Sequence, residues 1–359
     1  MLPPLRPYQL AVVRDVEHTL AVAPRAVLQM PTGSGKTIVA AEMARRYASR
    51  RMLYVVPSIE IFNQTESALK AAGLRPAIMC AGEWPKLRAD TQCVLASANT
   101  LQNRLTEGSF AQWLPELVIV DECHKLIDQH ATTLATFPRA RSLGLTATPV
   151  RLDGQPLAAL WPALVEGPQP LYLQSLKVLV PIRTLCLPLA DTDAIKVTAG
   201  DFDKQVLGKI YEAARAGEHA ARAWMRYGKG RPTLAFCPNR RVSESLALSL
   251  RHLRIRAVHL DATVSDSVRQ STIAELLTGK LDVVTNCGLF IEGLDVPKVS
   301  CVVICTSTVS LPKWLQMVGR GTRPAPGKLD LLVIDHGKCR RRLGDPAANR
   351  DWTMGGQPL

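Results

Sequence analysis

Short apolar runs alternate with longer amphipathic stretches along this chain, and the alternation occurs in both halves. Buried strands that are separated by helices are typical of parallel sheets. The sequence therefore predicts an α/β protein with two mainly parallel sheets, each flanked by helices. We expect strands at Ala26–Met30, Arg51–Val56, Gln92–Ala96, Leu117–Val120, Ser142–Leu145, Pro232–Phe236, Arg256–Leu260, Leu281–Thr285, Val299–Ile304 and Leu329–Ile334. We expect helices at Lys36–Ala48, Glu60–Ala71, Arg240–His252 and Val268–Gly279.

The length and the composition favour two globular domains. The chain has 359 residues, of which 47% are hydrophobic and 21% are charged, and both fractions are typical of folded proteins. We expect one domain at 1–150 and a second at 216–343. Repeated prolines without clear periodicity predict a connecting segment at 151–215, and a composition rich in glycine, proline and asparagine predicts a flexible tail at 344–359. No apolar run has the length of about 18 residues that a membrane span needs, so we expect no membrane insertion.

The formal net charge is +13, and most of the excess lies in the second half of the chain. Such an excess favours a polyanionic partner such as nucleic acid, although a solvated basic surface is an equally good interpretation. The nine cysteines are scattered and form no Cys-x-x-Cys pair. This pattern disfavours a zinc ribbon and a disulfide framework, and it fits a reducing compartment. Because no secretory signal is visible, we expect a cytoplasmic protein, most simply a monomer.

A glycine-rich segment follows the first predicted strand and leads into the first predicted helix. Gly33 and Gly35 allow the backbone to turn its N–H groups toward anionic oxygens, and the helix that starts near Lys36 points its positive end at them. The ammonium of Lys36 can reach β- and γ-phosphates, and the hydroxyl of Thr37 can ligate Mg²⁺. Met30 stands where the common form of this motif has a further glycine. The segment predicts a nucleoside triphosphate site made by Pro31, Thr32, Gly33, Ser34, Gly35, Lys36 and Thr37.

Two acidic residues follow another predicted strand, Leu117–Val120. Asp121 is well placed to hold Mg²⁺, and Glu122 could orient or deprotonate an attacking water. The carboxyl ends of parallel strands lie at one edge of a sheet, where ligands of such sheets bind. We therefore expect Asp121 and Glu122 to lie beside the glycine-rich loop.

At this point the chain resembles a known group, the superfamily 2 helicases and translocases of the DEAD/DEAH-box kind. The resemblance is carried in order by Arg6–Gln9, Pro31–Thr37 (motif I), Val56–Gln64 (Ia), Ser97–Thr100 (Ib), Asp121–His124 (II), Thr146–Pro149 (III), Phe236–Asn239 (IV), Thr285–Pro297 (V) and Gln316–Arg323 (VI). The wording of motifs V and VI is most similar to bacterial RadD-like helicases and their phage relatives. Motif II ends in Cys-His, and this ending disfavours membership of the branch dedicated to RNA.

The resemblance implies two tandem RecA-like domains with an ATP cleft between them, and ATP and Mg²⁺ as cofactors. It implies catalytic roles for Lys36, Asp121, Glu122, Gln316, Arg320 and Arg323, with the two arginines as arginine fingers and all three motif VI residues near one helix face. It adds Arg6, Gln9, Gly293 and Asp295 to the nucleotide site, and Thr37 and Asp121 as the Mg²⁺ ligands. Contacts with nucleic acid are implied for Pro57, Ser58, Ser97, Thr100, Asn239 and Thr285.

The expected activity is an ATP-dependent DNA helicase or translocase that acts in repair, recombination or replication, and a protein partner could supply its specificity. RNA as the substrate stays open. So does a role as the motor subunit of a restriction-type nuclease complex, although the sequence contains no convincing nuclease motif. A nucleic-acid-binding scaffold with an inactive ATP site is disfavoured, because Lys36, Asp121 and Glu122 are all present.

Overall fold

The computed structural model describes residues 2–81, 86–88, 90–105, 110, 113–151, 155–198, 200–289 and 295–355. The described chain forms two compact units. The first contains residues up to Gln169 together with the residues from Arg350 onward, and the second is Pro170–Asn349. The chain thus leaves the first unit once and returns to it near its end.

The first unit is built on a seven-stranded parallel sheet with the order β3-β4-β2-β5-β6-β1-β7. Its strands are β1 (Arg25–Gln29), β2 (Met52–Val56), β3 (Ala77–Met79), β4 (Cys93–Ser97), β5 (Leu117–Asp121), β6 (Arg141–Thr146) and β7 (Ala163–Glu166). Its helices are α1 (Pro7–Val22), α2 (Lys36–Arg46), α3 (Ile59–Ala71), α4 (Ala98–Leu105) and α5 (Ile127–Thr136), with a 3-10 turn at Leu157–Ala159. The strands β1, β2 and β5 are buried almost throughout, as strands covered by helices on both faces must be.

The second unit contains a six-stranded parallel sheet with the order β12-β13-β11-β14-β15-β8 and a small antiparallel pair, β9 and β10. Its strands are β8 (Ile182–Cys186), β9 (Val197–Thr198), β10 (Asp201–Phe202), β11 (Thr233–Phe236), β12 (Ala257–Leu260), β13 (Val283–Asn286), β14 (Cys301–Ile304) and β15 (Leu331–Asp335). Its helices are α6 (Pro170–Ser175), α7 (Lys204–Ala213), α8 (Ala216–Tyr227), α9 (Arg240–His252), α10 (Asp266–Thr278), α11 (Leu311–Gly319) and α12 (Cys339–Leu343). All ten strands predicted from the sequence are present, with ends that differ by a residue or two.

The predicted connecting segment at 151–215 is not a separate linker. Its first part supplies β7, which pairs with β1, and a later part supplies β8, which pairs with β15. The hydrogen bonds and the apolar faces of these edge strands join each part to the sheet that it extends, so the boundary between the units lies at Gln169 and Pro170.

The predicted flexible tail is also different in the structure. Trp352 is buried, and the N–H of Ala158 donates to the carbonyl of Met354 at 3.1 Å. The side-chain amide of Gln169 donates to the carbonyl of Arg350 and accepts from its N–H. Burial of an indole and paired backbone groups fix residues 350–354 on the first unit.

Two further observations concern the cysteines and the helices. All nine cysteines are free thiols. Within the part of the chain that the structure describes, no helix is both long and apolar enough to cross a bilayer.

Candidate functional site

The strand order of the first unit places three polar segments side by side. Gln29, the last residue of β1, is paired with Thr146 at the end of β6, and Asp121 at the end of β5 is paired with Leu145. The glycine-rich loop, the acidic pair and the Thr146–Pro149 segment therefore leave the sheet at the same edge. The side-chain amide of Gln29 donates to the carbonyl of Ala147 at 2.9 Å and ties the first of these segments to the third. The edge predicted from the sequence is thus formed.

The glycine-rich loop needs its two glycines. Gly33 and Gly35 have φ angles of 85° and 92°, in the left-handed region that favours glycine. A Cβ built on Gly35 would lie 2.5 Å from Nε2 of Gln9, so the amide of Gln9 packs directly against the loop. The helix α2 begins at Lys36 immediately after the loop and directs its unpaired N–H groups there. This geometry is a phosphate-binding loop.

The side chain of Lys36 hydrogen-bonds to the backbone at the start of the glycine-rich loop. Its Nζ donates to the carbonyl of Met30 at 3.0 Å and to that of Pro31 at 3.5 Å. A phosphate oxygen would replace neutral carbonyl acceptors with a charged one, which makes a stronger bond. Thr37 is the first residue after Lys36 in α2 and is half-buried.

The segment before α1 is fastened to the same loop. The hydroxyl of Tyr8 donates to the carbonyl of Ser34 at 2.7 Å, and burial raises the pKa of Tyr8. The N–H of Arg6 donates to Oε1 of Gln9 at 2.9 Å, whereas the side chain of Arg6 is exposed. The sequence singled out Arg6 and Gln9, but it gave no role to Tyr8, whose contact joins residues far apart in the chain.

Asp121 and Glu122 are both buried at the end of β5. Burial and, to a smaller extent, the carboxylate of Glu122 raise the pKa of Asp121 to about 7, although the ammonium of Lys36 opposes the change. Glu122 has a φ of 48°, which is unfavourable for a residue with a side chain and is found where surrounding structure enforces it. The two carboxylates are therefore held close together at a cost that a bound cation would relieve.

A chain of polar contacts connects Glu122 to the segment after β6. Nδ1 of His124 lies 3.4 Å from Oε2 of Glu122 and 2.9 Å from Oγ1 of Thr146. The hydroxyl of Thr146 already donates to the carbonyl of Thr148 and accepts from its N–H. Since Thr146 has no second proton to give, Nδ1 of His124 carries the hydrogen. Burial lowers the pKa of His124 to about 4, so the ring is neutral at pH 7.

The donor set suits Mg²⁺. Mg²⁺ in phosphoryl-transfer sites is held by one or two protein oxygens and the phosphates, and it keeps several waters. Among the described residues no cluster of three or more His, Cys, Asp or Glu side chains could hold a metal by itself. Asp121, whose raised pKa marks an under-neutralised buried carboxylate, and the hydroxyl of Thr37 would be the protein ligands, and this assignment stays a prediction.

The arginines of motif VI lie in the second unit. The helix α11 ends at Gly319, Arg320 is its C-terminal cap, and Arg323 lies in the turn beyond. We expected Gln316, Arg320 and Arg323 to share one helix face. This is wrong for Arg323, because the helix stops at Gly319 and Arg323 lies beyond its end. Gln316 and Arg320 are buried. Arg323 forms an ion pair with Asp295, and Gly293 lies outside the described residues. Their roles toward a triphosphate stay predictions.

The residues predicted to contact nucleic acid lie at the carboxyl ends of strands. Val56 of β2 is paired with Ser97 of β4, so Pro57, Ser58 and Ser97 are neighbours at the start of two helices. The hydroxyl of Ser58 accepts from the N–H of Ile61, and Ser97 and Thr100 hydrogen-bond each other at 2.8 Å. Two adjacent helix N-termini are a suitable place for backbone phosphates.

Two of the predicted contacts are used inside the second unit. Asn239 caps α9 by accepting from the N–H of Val242, and its amide donates to Glu212 at 2.5 Å. Thr285 is fully buried, and its hydroxyl donates to the carbonyl of Ser243. The prediction that the side chain of Thr285 contacts nucleic acid is not supported by this position, because the hydroxyl is both covered and paired.

The fold and the site define a class of protein, a phosphate-binding-loop nucleoside triphosphatase with two RecA-like units. Family models match both units. Residues 2–151 match the model described as type III restriction enzyme, res subunit, and residues 218–325 match the helicase conserved C-terminal domain. Together with the relatives described next, these matches show that the chain belongs to the superfamily 2 helicases. The RadD-like branch stays a prediction.

Two relatives and one solved structure show the extent of the likeness. The chain is 27% identical over 94% of its length to a Schizosaccharomyces pombe protein assigned as the mitochondrial ATP-dependent helicase Irc3, of which it spans 58%. It is 26% identical over 89% of its length to the DNA 3'-5' translocase XPB2 of Sulfurisphaera tokodaii, of which it spans 80%. A fragment assigned to the HsdR subunit of a Vibrio vulnificus type I restriction enzyme has a TM-score of 0.72 at 20% identity, covering 97% of this chain and 68% of that one. Because its identity is low, the likeness to the restriction enzyme fragment shows only that the two chains share a fold.

Proposed function

We propose that the chain is a nucleic-acid-dependent ATPase that couples ATP hydrolysis to movement along DNA or to its unwinding. The observation that carries the proposal is the shared sheet edge, where the phosphate-binding loop, Asp121 with Glu122, and Thr146 emerge from adjacent strands. A triphosphate in the loop would place its terminal phosphate toward the acidic pair. Each of these groups has a defined task in phosphoryl transfer.

The protein groups act in the following way. The loop N–H groups and Lys36 hold the phosphate oxygens. Asp121 and Thr37 would hold Mg²⁺, which would supply neutralisation of the phosphate charge. Glu122 orients the attacking water and accepts its proton. The ring of His124 is neutral, and its Nδ1 lies 3.4 Å from the Glu122 carboxylate. The N–H of this nitrogen can fix the orientation of that carboxylate. Thr146 links this arrangement to the segment after β6.

DNA is the proposed track. The net charge of +13 favours a polyanion, and the similar XPB2 protein is named as a DNA translocase. The adjacent N-termini of α3 and α4 offer backbone N–H groups that bind phosphates without reading sequence. Repair, recombination or replication are the proposed settings, and a cytoplasmic location and a monomer are proposed with them.

The test compares ATP turnover without nucleic acid and with single-stranded DNA, duplex DNA, forked DNA and RNA. We expect DNA to raise turnover, and Glu122→Gln to abolish it while ATP still binds. The matched control is Asp128→Asn, which removes an exposed carboxylate from the first turn of α5 and should leave turnover unchanged. Stimulation of ATP turnover by RNA alone would show that the substrate is RNA and not DNA. An equal turnover rate under all five conditions would contradict a nucleic-acid-dependent motor.

A second candidate is the motor subunit of a restriction-type nuclease complex. The description of the family model that matches residues 2–151 favours it. If it is right, the purified chain should translocate on duplex DNA, measured by displacement of a bound third strand, without separating the duplex strands. Unwinding of forked DNA by the chain alone would favour the helicase instead.

A further inference from the structure

Lys328 has an unusual position for a lysine after motif VI. Its Nζ donates to three backbone carbonyls, those of Pro297 at 2.8 Å, Gly321 at 2.6 Å and Arg323 at 2.7 Å. An ammonium has three N–H groups, and here each has an acceptor. Lys328 is half-buried. This burial lowers the pKa of Lys328 to about 7, with Asp330 opposing the change. The contact therefore has a cost and is not a chance surface interaction.

The three carbonyls belong to two segments, the end of motif V and the end of motif VI. Pro297 follows Asp295 at the end of motif V, and Gly321 and Arg323 are the last part of motif VI. The same two segments are joined a second time by the ion pair between Arg323 and Asp295. Lys328 therefore binds the backbone on both sides of that ion pair.

The bonds of Lys328 are among several contacts that hold this turn. The helix α11 has ended at Gly319, and the turn continues through Gly321 and two prolines. Gly321 packs so closely on Leu331 of β15 that a Cβ would overlap the leucine side chain. The carbonyl of Thr322 accepts from the N–H of Val180. Without the ammonium, the carbonyls of Gly321 and Arg323 would lose this shared donor, and the backbone that carries Arg323 could shift.

We propose that Lys328 is a positioning residue for ATP hydrolysis, which fixes the backbone that carries Arg323 relative to the end of motif V. This inference rests on the proposed function. Lys328 would set the rate of the chemical step and leave the binding of ATP nearly unchanged. The reason is that a cation aimed at developing charge must be placed to within a fraction of an ångström, whereas ground-state binding tolerates more.

The experiment measures the DNA-stimulated turnover number, the KM for ATP and the affinity for a fluorescent, non-hydrolysable ATP analogue in three variants. Lys328→Met removes the charge and keeps an unbranched apolar chain, Lys328→Arg keeps a cation, and Lys328→Gln keeps two N–H donors. The control is Lys298→Met, because Lys298 is an exposed neighbour of Pro297 whose Nζ donates to a single carbonyl, that of Leu277. Thermal unfolding is recorded for each protein.

We expect Lys328→Met to lower the turnover number roughly 10- to 100-fold, the loss that a misplaced catalytic group produces, with less than about a twofold change in affinity for the analogue. Lys328→Arg should recover part of the loss, and Lys298→Met should behave as the wild type. If Lys328→Met does not fold, Lys328→Gln provides the same comparison.

A turnover number equal to that of the wild type in folded Lys328→Met or Lys328→Gln would overturn the inference. So would a loss of turnover that is matched by an equal loss of affinity for the analogue, or a loss that Lys328→Arg does not recover at all. If the wild type itself shows no stimulation by nucleic acid, the proposed function fails instead, and the two failures are therefore distinguishable.

Discussion

His130 should make the first unit sensitive to acid. This residue lies in α5, is 0% exposed, and neither of its ring nitrogens has a hydrogen-bond partner among the described residues. Burial lowers the pKa of His130 to about 4, and the nearby ring of His124 adds to the effect. The folded chain therefore keeps this imidazole neutral at a pH where the unfolded chain protonates it.

The sign and size follow from proton binding. Between about pH 6.5 and pH 4 the unfolded state binds a proton that the folded state does not, so the free energy of unfolding decreases as the pH falls. With a pKa of about 4 in the folded state and about 6.5 in the unfolded state, the loss at pH 5 is about 2 kcal/mol, and it is near zero at pH 7.5. Below about pH 4 the loss no longer grows, because both states are protonated.

The perturbation is His130→Leu, which replaces the imidazole with an apolar side chain that does not titrate. Urea unfolding at pH 7.5 and pH 5, followed by tryptophan fluorescence, gives the free energy of unfolding for both proteins. We expect the wild type to lose about 2 kcal/mol more than the variant between these two conditions. His18→Gln, which removes an exposed histidine of α1, controls for the loss of a ring and should follow the wild type. If the wild type and His130→Leu respond equally to pH, the reasoning about burial is refuted.

Three further outcomes test the candidate sites. Arg320→Ala should lower single-turnover hydrolysis by about 10³-fold while the affinity for ATP changes little, as for an arginine finger, and an unchanged rate would remove that role. Gly35→Ala should weaken the binding of a fluorescent ADP analogue at least about tenfold, because a side chain at a φ of 92° costs about 1–2 kcal/mol and also displaces Gln9; binding at full strength would contradict the loop geometry. The affinity for DNA, measured by fluorescence anisotropy, should fall steadily with the logarithm of the salt concentration, and an affinity that salt does not change would exclude phosphate contacts as its basis.

The sequence predicted the central strands because they are buried on both faces. Leu117–Val120 and Cys301–Ile304 are continuous apolar runs, and such runs are recognisable without any knowledge of their neighbours. The edge strands β7 and β8 are only partly buried and lie among prolines, so their sequences resemble loops. Trp352 lies in a mainly polar segment, and nothing local indicates that it docks on the first unit.

The same distinction applies to the candidate site. Lys36, Asp121 and Glu122 could be predicted because each follows an apolar run, and the edge of a parallel sheet then brings them together. Tyr8 and Lys328 could not be predicted, because their importance lies in side-chain bonds to backbone carbonyls, one from Tyr8 and three from Lys328. No periodicity or motif specifies such bonds.

These bonds share a feature that bears on how the site could respond to a ligand. Lys36 donates to the carbonyl of Met30, Tyr8 to that of Ser34, and Thr146 to that of Thr148. The polar groups at the sheet edge are thus satisfied by the backbone of their own or adjacent motifs. A triphosphate that binds Lys36 exchanges one acceptor for another and does not have to order a free side chain, so little conformational entropy is lost. The exchange is favourable because a bond to a charged phosphate is stronger than one to a carbonyl. The exchange releases the carbonyl of Met30, directly after β1, and the N–H of Met30 donates to the carbonyl of Thr146. Nucleotide binding could therefore affect Thr146, which is linked to Glu122 through His124.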